Sequence, residues 1–199
     1  MITDWIAVVR DGARFHYQYE EGIAQARWRE CGVLPLVSGA FVLEDIDWVR
    51  DGASYGDLHV DLEPGMWPIR MAVLEFANNV KLPLLCMFGS PHAVTSWKPA
   101  DGRQPFVDCD RGVVCAFDLV TRPRFASDLL ADDDTYFAMM DQAAQDDFSV
   151  VLDHDHVAVF TFYCGPGSDQ YPVWLGQDES GRTVCVVVDS LVMRDCQPV

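Results

Sequence analysis

Residues 165–189, GPGSDQYPVWLGQDESGRTVCVVVD, decide the fold class. Tyr171 to Leu175 is aromatic and branched, and Thr183 to Val188 is a nearly unbroken apolar run. Between them, Gln177 to Arg182 supplies turn residues, so the two runs read as paired strands around a polar, glycine-bearing turn. The same alternation continues towards the N-terminus. Trp67, Ile69, Met71, Val73 and Glu75 point one way along Trp67–Phe76, after a turn at Pro64-Gly65. Further strand signals run from Leu34 to Leu43 (broken at Ser38-Gly39), Leu82 to Phe88 and Ala93 to Trp97. Others are Phe106-Val107, Val113 to Phe117, Val150 to Leu152 and Val157 to Cys164.

Two segments read as helical. Ser127 to Asp146 is expected to be the one main helix, capped by Ser127, with Leu129, Leu130, Tyr136, Phe137, Met140 and Ala144 as its apolar stripe. Residues 1–33 are expected to form an attachment: a hairpin from Trp5–Val9 and Phe15–Tyr19 about a turn at Arg10–Gly12, then a short helix from Glu20 to Cys31. About ten short strands against one or two helices define a β-rich α+β domain. An antiparallel sandwich or a strongly bent sheet is expected, with the main helix packed on one face. The 199 residues read as a single domain, with a β-rich core over 34–199.

Composition bounds the partners. The chain has 31 Asp plus Glu against 14 Lys plus Arg, a formal net charge of -17. Such a surface repels phosphates, which disfavours direct nucleic-acid binding and anionic membranes, and it steers basic proteins inward. The first residues, MITDWIAVVRDGARF, carry Asp4, Arg10 and Asp11 and no apolar signal region, and no stretch approaches a membrane span. The seven cysteines are odd in number and lack C-x-x-C spacing, and Cys86 and Cys185 sit inside apolar runs. Reduced thiols in a cytoplasmic protein are the expectation.

Three motifs carry residue types that could support chemistry. Asp153-His154-Asp155-His156 alternates imidazoles and carboxylates, a pattern metals favour on one strand face, but with no third ligand dictated by spacing it reads first as a polar turn between strands. Asp108 and Asp110, with Asp118 beyond, form a second carboxylate set that fits either a divalent cation or turn capping, and does not match an EF-hand loop. Gly165 to Gln170 lacks both nucleotide-loop patterns and reads as a tight turn. His59 stands in reserve for a metal set, and acids near Cys109 and Cys115 argue against a nucleophilic thiolate.

From Leu34 to Met193, about four-fifths of the chain, the sequence resembles the bacterial domain-of-unknown-function 4241 family. The matching pieces are Ser38-Gly39, Pro64-Gly65-Met66-Trp67-Pro68-Ile69, and Phe106-Val107-Asp108 with Gly112 and Asp118. The most specific block is Tyr171 to Asp178 with Gly181 and Val188-Asp189. The chain departs from the family at Cys164 to Gln170, where the family tends to read S-G-W-G-D-G, and between Asp108 and Asp118, where it carries extra residues. The resemblance implies structural roles: glycines at turns, Tyr171 and Trp67 in the core, Asp as a loop cap. It carries no activity to transfer.

The favoured functional expectation is a non-catalytic, cytoplasmic binding protein without cofactors. In its concrete form it is a bacterial immunity protein that covers a cognate toxin, nuclease-like or deaminase-like, with a basic substrate cleft. The acids expected to bind are Asp132, Asp133, Asp134, Asp146 and Asp147, then Asp153 and Asp155. The alternatives are a small-ligand sensor with an aromatic pocket, and a metal-dependent hydrolase built from Asp108, Asp110, His154 and His156.

Overall fold

The hairpin that decides the class forms as expected. In the computed structural model, β12 (Asp169–Gln177) and β13 (Thr183–Asp189) pair antiparallel, Val173 opposite Val188 and Leu175 opposite Val186. The turn closes on Asp178, whose carboxylate accepts from the backbone N–H of Ser180 and of Arg182, while Gly181 takes a left-handed φ of 82°. Placement is described for residues 6, 8–52, 58–100, 105–144, 149–154, 157–165 and 169–199, with backbone alone for 144, 149–154 and 157.

Fourteen strands are present among the described residues, all paired antiparallel, in two sheets. The remaining strands are β1 (Arg14–Tyr17), β2 (Ile23–Leu36), β3 (Ala40–Asp45), β4 (Leu58–Asp61), β5 (Gly65–Glu75), β6 (Lys81–Gly89), β7 (Ser96–Pro99), β8 (Phe106–Cys109), β9 (Val113–Asp118), β10 (Ser149–His154), β11 (Val157–Tyr163) and β14 (Cys196–Pro198). The larger sheet runs β14-β1-β2-β5-β6-β13-β12-β7, with β8 also on β12; the smaller runs β10-β11-β9-β3-β4.

The alternation of β5 explains how the layers are organised. Trp67, Ile69, Met71 and Val73 enter a core shared with Phe41, Leu43, Ala116, Phe160 and Phe162 of the smaller sheet. Ala72 and Leu74, on the opposite face, join a second cluster with Phe15, Ala24, Met87 and Val187. Phe88 sits at the centre of the first core, its ring 5.0 Å from Phe41, 5.8 Å from Phe160 and 5.9 Å from Phe162. Tyr171 and Trp67 are buried there too, as expected of them.

Helices cover the outer face of the smaller sheet. They are α1 (Ile46–Asp51), α2 (Arg122–Ala131) and α3 (Asp133–Ala144). Ile46, Val49, Phe125, Leu129, Tyr136, Met139 and Ala143 pack on Val42, Cys115, Phe117 and Val159 of β3, β9 and β11. Among the described residues no helix is long and apolar enough to cross a membrane.

Three expectations need correcting. Glu20–Cys31 is not a helix: residues 23–36 are the long strand β2, which pairs with β5 from Gln25 opposite Glu75 to Leu36 opposite Gly65. The hairpin at this end is β1 with β2, and the other edge of β1 is taken by β14; of the expected partner segment Trp5–Val9, residues 5 and 7 lie outside the described residues. The expected helix over 127–146 is two helices that begin earlier, at Arg122 with Pro123 in the first turn, so Ser127 lies inside α2 and caps nothing. The break is Asp132, in extended backbone at φ -144°, where its carboxylate accepts from the N–H of Asp134 (3.1 Å) and from the Thr135 hydroxyl. The break also rotates the stripe: Leu130 and Phe137 are 61% and 53% exposed, while Met139 and Ala143 take the buried positions.

Asp118 joins the layers at one point. Its carboxylate accepts from the Ser38 N–H at 2.6 Å, from the Ser38 hydroxyl, and from the Val120 N–H at 3.2 Å. Burial pushes its pKa up, but the Ser38 hydroxyl and the N–H groups of Ser38, Val120 and Val37 outweigh it, so the net shift is downward. A carboxylate held below its unfolded value contributes stability that is present above about pH 4 and is lost as pH falls through the folded pKa. Asp118→Asn is therefore expected to be less stable than wild type at neutral pH, with the gap narrowing below about pH 4. Urea melts of both proteins across that range check it; a gap independent of pH would contradict it.

Candidate functional site

A polar concavity lies where three sequence-distant segments meet, on the helix-covered side of the smaller sheet. It has a volume of about 320 Å³. Helix α1 contributes Asp47, Trp48, Arg50 and Asp51; the β8–β9 turn contributes Asp110 and Arg111; α3 contributes Tyr136 and Phe137.

Buried carboxylates hold these pieces in place. Asp45, at the end of β3, caps α1 by accepting from the Asp47 N–H at 2.6 Å and accepts from the Asp110 N–H at 2.8 Å. One side chain thus fixes both the helix and the turn. Burial raises its pKa, against the opposing pull of the Cys109 thiol and the two N–H donors. Next to it, Glu44 is fully buried and receives both arms of the Arg122 guanidinium, at 2.8 and 2.6 Å. This bidentate pair ties the start of α2 to β3.

Inside the cleft, charges are partly neutralised. Arg111 lies 3.0 Å from Asp47, which also accepts from the Tyr136 hydroxyl. Burial and then the Asp47 hydrogen bond and charge push the Tyr136 phenol up to about 12, so it stays a donor at neutral pH. Arg50 lies over the Tyr136 ring at 4.4 Å and pairs with Asp133. Asp51 and Asp110 are exposed and have no cationic partner among the described residues. Exposed Phe137 stands at the rim beside half-buried Trp48.

The acids singled out in the sequence divide accordingly. Asp132 is spent as the cap of α3, Asp133 is paired with Arg50, and Asp134 is exposed with no partner among the described residues. Asp146, Asp147, Asp155 and His156 lie outside the described residues, and for Asp153 and His154 only the backbone, in β10, is described. Asp110 joins the cleft; Asp108 stays on β8, opposite Gln170 of β12. His59 lies on β4 and His154 on β10, at opposite edges of the smaller sheet. Four strand spacings, about 19 Å, separate those two backbones, so His59 and His154 do not share one ion. No group of three His, Cys, Asp or Glu among the described residues could hold a metal ion. Sequence reasoning missed Asp51, and it placed Phe137 in the apolar stripe of the main helix rather than at a site. The Asp-Trp-Val-Arg-Asp run of 47–51 between two strand signals was the available clue.

Six of the seven thiols are shielded by burial. Desolvation raises Cys86, Cys164 and Cys115, and raises Cys109 with Asp45 adding to the effect. Cys185 and Cys196 are buried as well, and only Cys31 is partly exposed. A thiol reagent at neutral pH is expected to label Cys31 alone in the native protein and all seven cysteines in denaturant. Rapid labelling of Cys109 or Cys115 in the native state would contradict this burial.

No protein family, no curated protein and no solved structure matches the chain.

Proposed function

We propose that this chain is a non-catalytic binding protein that engages a basic protein partner through the face formed by α1, α3 and the β8–β9 turn. In its concrete form it is a bacterial immunity protein acting in the cytoplasm on a cognate toxin. The observation that carries the reading is the composition of that face. Exposed Phe137 and half-buried Trp48 line the cleft with Asp51 and Asp110, and Asp134 is exposed one turn before Phe137 on α3; none of these three carboxylates has a cationic partner among the described residues, on a chain of net charge -17. Aromatic anchors ringed by charge are the usual substance of protein-binding hot spots, and surplus negative charge speeds encounter with a basic surface. The resemblance to the domain-of-unknown-function 4241 family, and a face-to-face sandwich of the two sheets as the rigid support, belong to the same proposal.

The test has two stages. Native protein is used to capture partners from its own host at low and at high salt. A single basic protein, held at low salt and weakened at high salt, is expected. That protein is then expressed alone and together with this chain. Growth arrest that co-expression relieves supports the immunity reading; a captured protein that is harmless when expressed alone removes it.

A further inference from the structure

The cleft already holds one guanidinium. Arg50 lies over the Tyr136 ring, its Cζ 4.4 Å from the centroid, and is paired with Asp133, so an aromatic face and a carboxylate serve the same cation. A second, similar pair of features stands at the mouth without a cationic partner among the described residues: Asp51 and Asp110 for charge, Trp48 and Phe137 for aromatic surface. The two native arginines of the cleft do not meet that need, because Arg50 is committed to Asp133 and Arg111 to Asp47. Three carboxylates against two guanidiniums line the cleft, and one further carboxylate, Asp133, is consumed by Arg50. What remains is net negative, with room for one long side chain in about 320 Å³.

We propose that this cleft is the recognition pocket for a single arginine side chain of the partner, its guanidinium facing Asp51 and Asp110 and its plane against Trp48 and Phe137. The inference rests on the binding reading above and adds the identity of the anchor. Arginine suits the pocket better than lysine. A planar, weakly hydrated guanidinium stacks on aromatic faces and bonds carboxylates in a fork, whereas an ammonium is a strongly hydrated point charge. The helical support matters as well. Asp45 fixes Asp51 (through α1) and Asp110 (through the turn) to one buried carboxylate, so the two acids are held in a fixed relation before any ligand arrives.

The experiment uses the whole chain with ¹⁵N-labelled tryptophan indoles and a probe peptide, acetyl-Gly-Arg-Gly-amide, with its lysine counterpart as control. The Trp48 indole resonance, assigned from its loss in Trp48→Phe, is expected to shift on titration with the arginine peptide and to shift less with the lysine peptide. The double variant Asp51→Asn/Asp110→Asn is expected to bind the arginine peptide roughly tenfold less tightly. Asp108→Asn, on β8, is expected to bind it like wild type. An unmoved Trp48 resonance, equal binding by the double variant, or equal response to lysine would each overturn the pocket. The outcomes separate from those of the parent reading. A basic partner captured equally well by wild type and by the double variant leaves the binding face standing and removes the arginine anchor.

Discussion

Replacing Arg122 with alanine is expected to cost about 3–5 kcal/mol of stability and to lower the melting temperature by roughly 6–20 °C. The reason is the partner it leaves behind. Glu44 is fully buried on β3, and both its oxygens are taken up by Arg122 at 2.6 and 2.8 Å. Without the guanidinium, the carboxylate must stay charged in the interior or take up a proton. Folding of the variant then depends on pH in a defined sense. The Glu44 pKa rises above its unfolded value, so the variant is relatively more stable at low pH and loses that advantage as pH rises through the folded pKa. Removing both partners with apolar replacements, Arg122→Met/Glu44→Leu, is expected to recover most of the loss, because the large cost belongs to the orphaned charge. The exposed pair Arg124–Asp128, one turn away on the same helix at 3.4 Å, gives the contrast: its removal is expected to be near neutral. Chemical denaturation of the variants at neutral and acid pH checks all of this. A loss for Arg122→Ala no larger than that for Arg124→Ala would contradict the account of how the helices are tied down.

The second large effect is expected at Phe88. Its ring is fully buried and touches Phe41, Phe160 and Phe162, so it bridges β6 of the larger sheet and β3 and β11 of the smaller. Phe88→Ala is expected to destabilise by about 3–5 kcal/mol, combining lost burial with a cavity that two rigid sheets cannot close. Phe88→Leu is expected to recover about half of that. Phe137→Ala, at a ring more than half exposed, is expected to leave stability nearly unchanged. Thermal melts of the three variants discriminate: similar losses at 88 and 137 would mean that the shared core is not where the fold is held.

These expectations also show what was legible in the chain. Strands with clean alternation were readable because burial on one face imposes a period of two; Trp67 to Val73 enters the shared core in the order the alternation implies. Glu20–Cys31 misled because Ala24, Ala26 and Arg27 favour helix locally. Pairing along β5 overrides that preference, and the small residues Ala24 and Ala26 pack in the second core with Phe15. The Asp132 break carried a usable signal: an Asp ahead of two acids and Thr135 is how a new helix begins, although the same run also fits the surface of one continuous helix. Glu44–Arg122 was beyond reach, since the partners are 78 positions apart and nothing local announces a buried pair. The cleft was out of reach for the same reason. Its walls come from residues near 47–51, 110–111 and 136–137, and Asp110 on its own resembled half of a cation site.

The central claim is that the face carrying Phe137, Asp51, Asp110 and Asp134 binds a basic protein. The most direct test compares wild type with the double variant Phe137→Ala/Asp134→Lys in the capture from host extract, after melts have shown equal stability. Both positions are exposed and stand away from the cores. The account predicts one basic protein on wild type and a large loss of it on the variant, greatest at low salt, where the charge reversal is least screened. Equal capture by the two proteins would contradict it and move the partner surface elsewhere on the molecule.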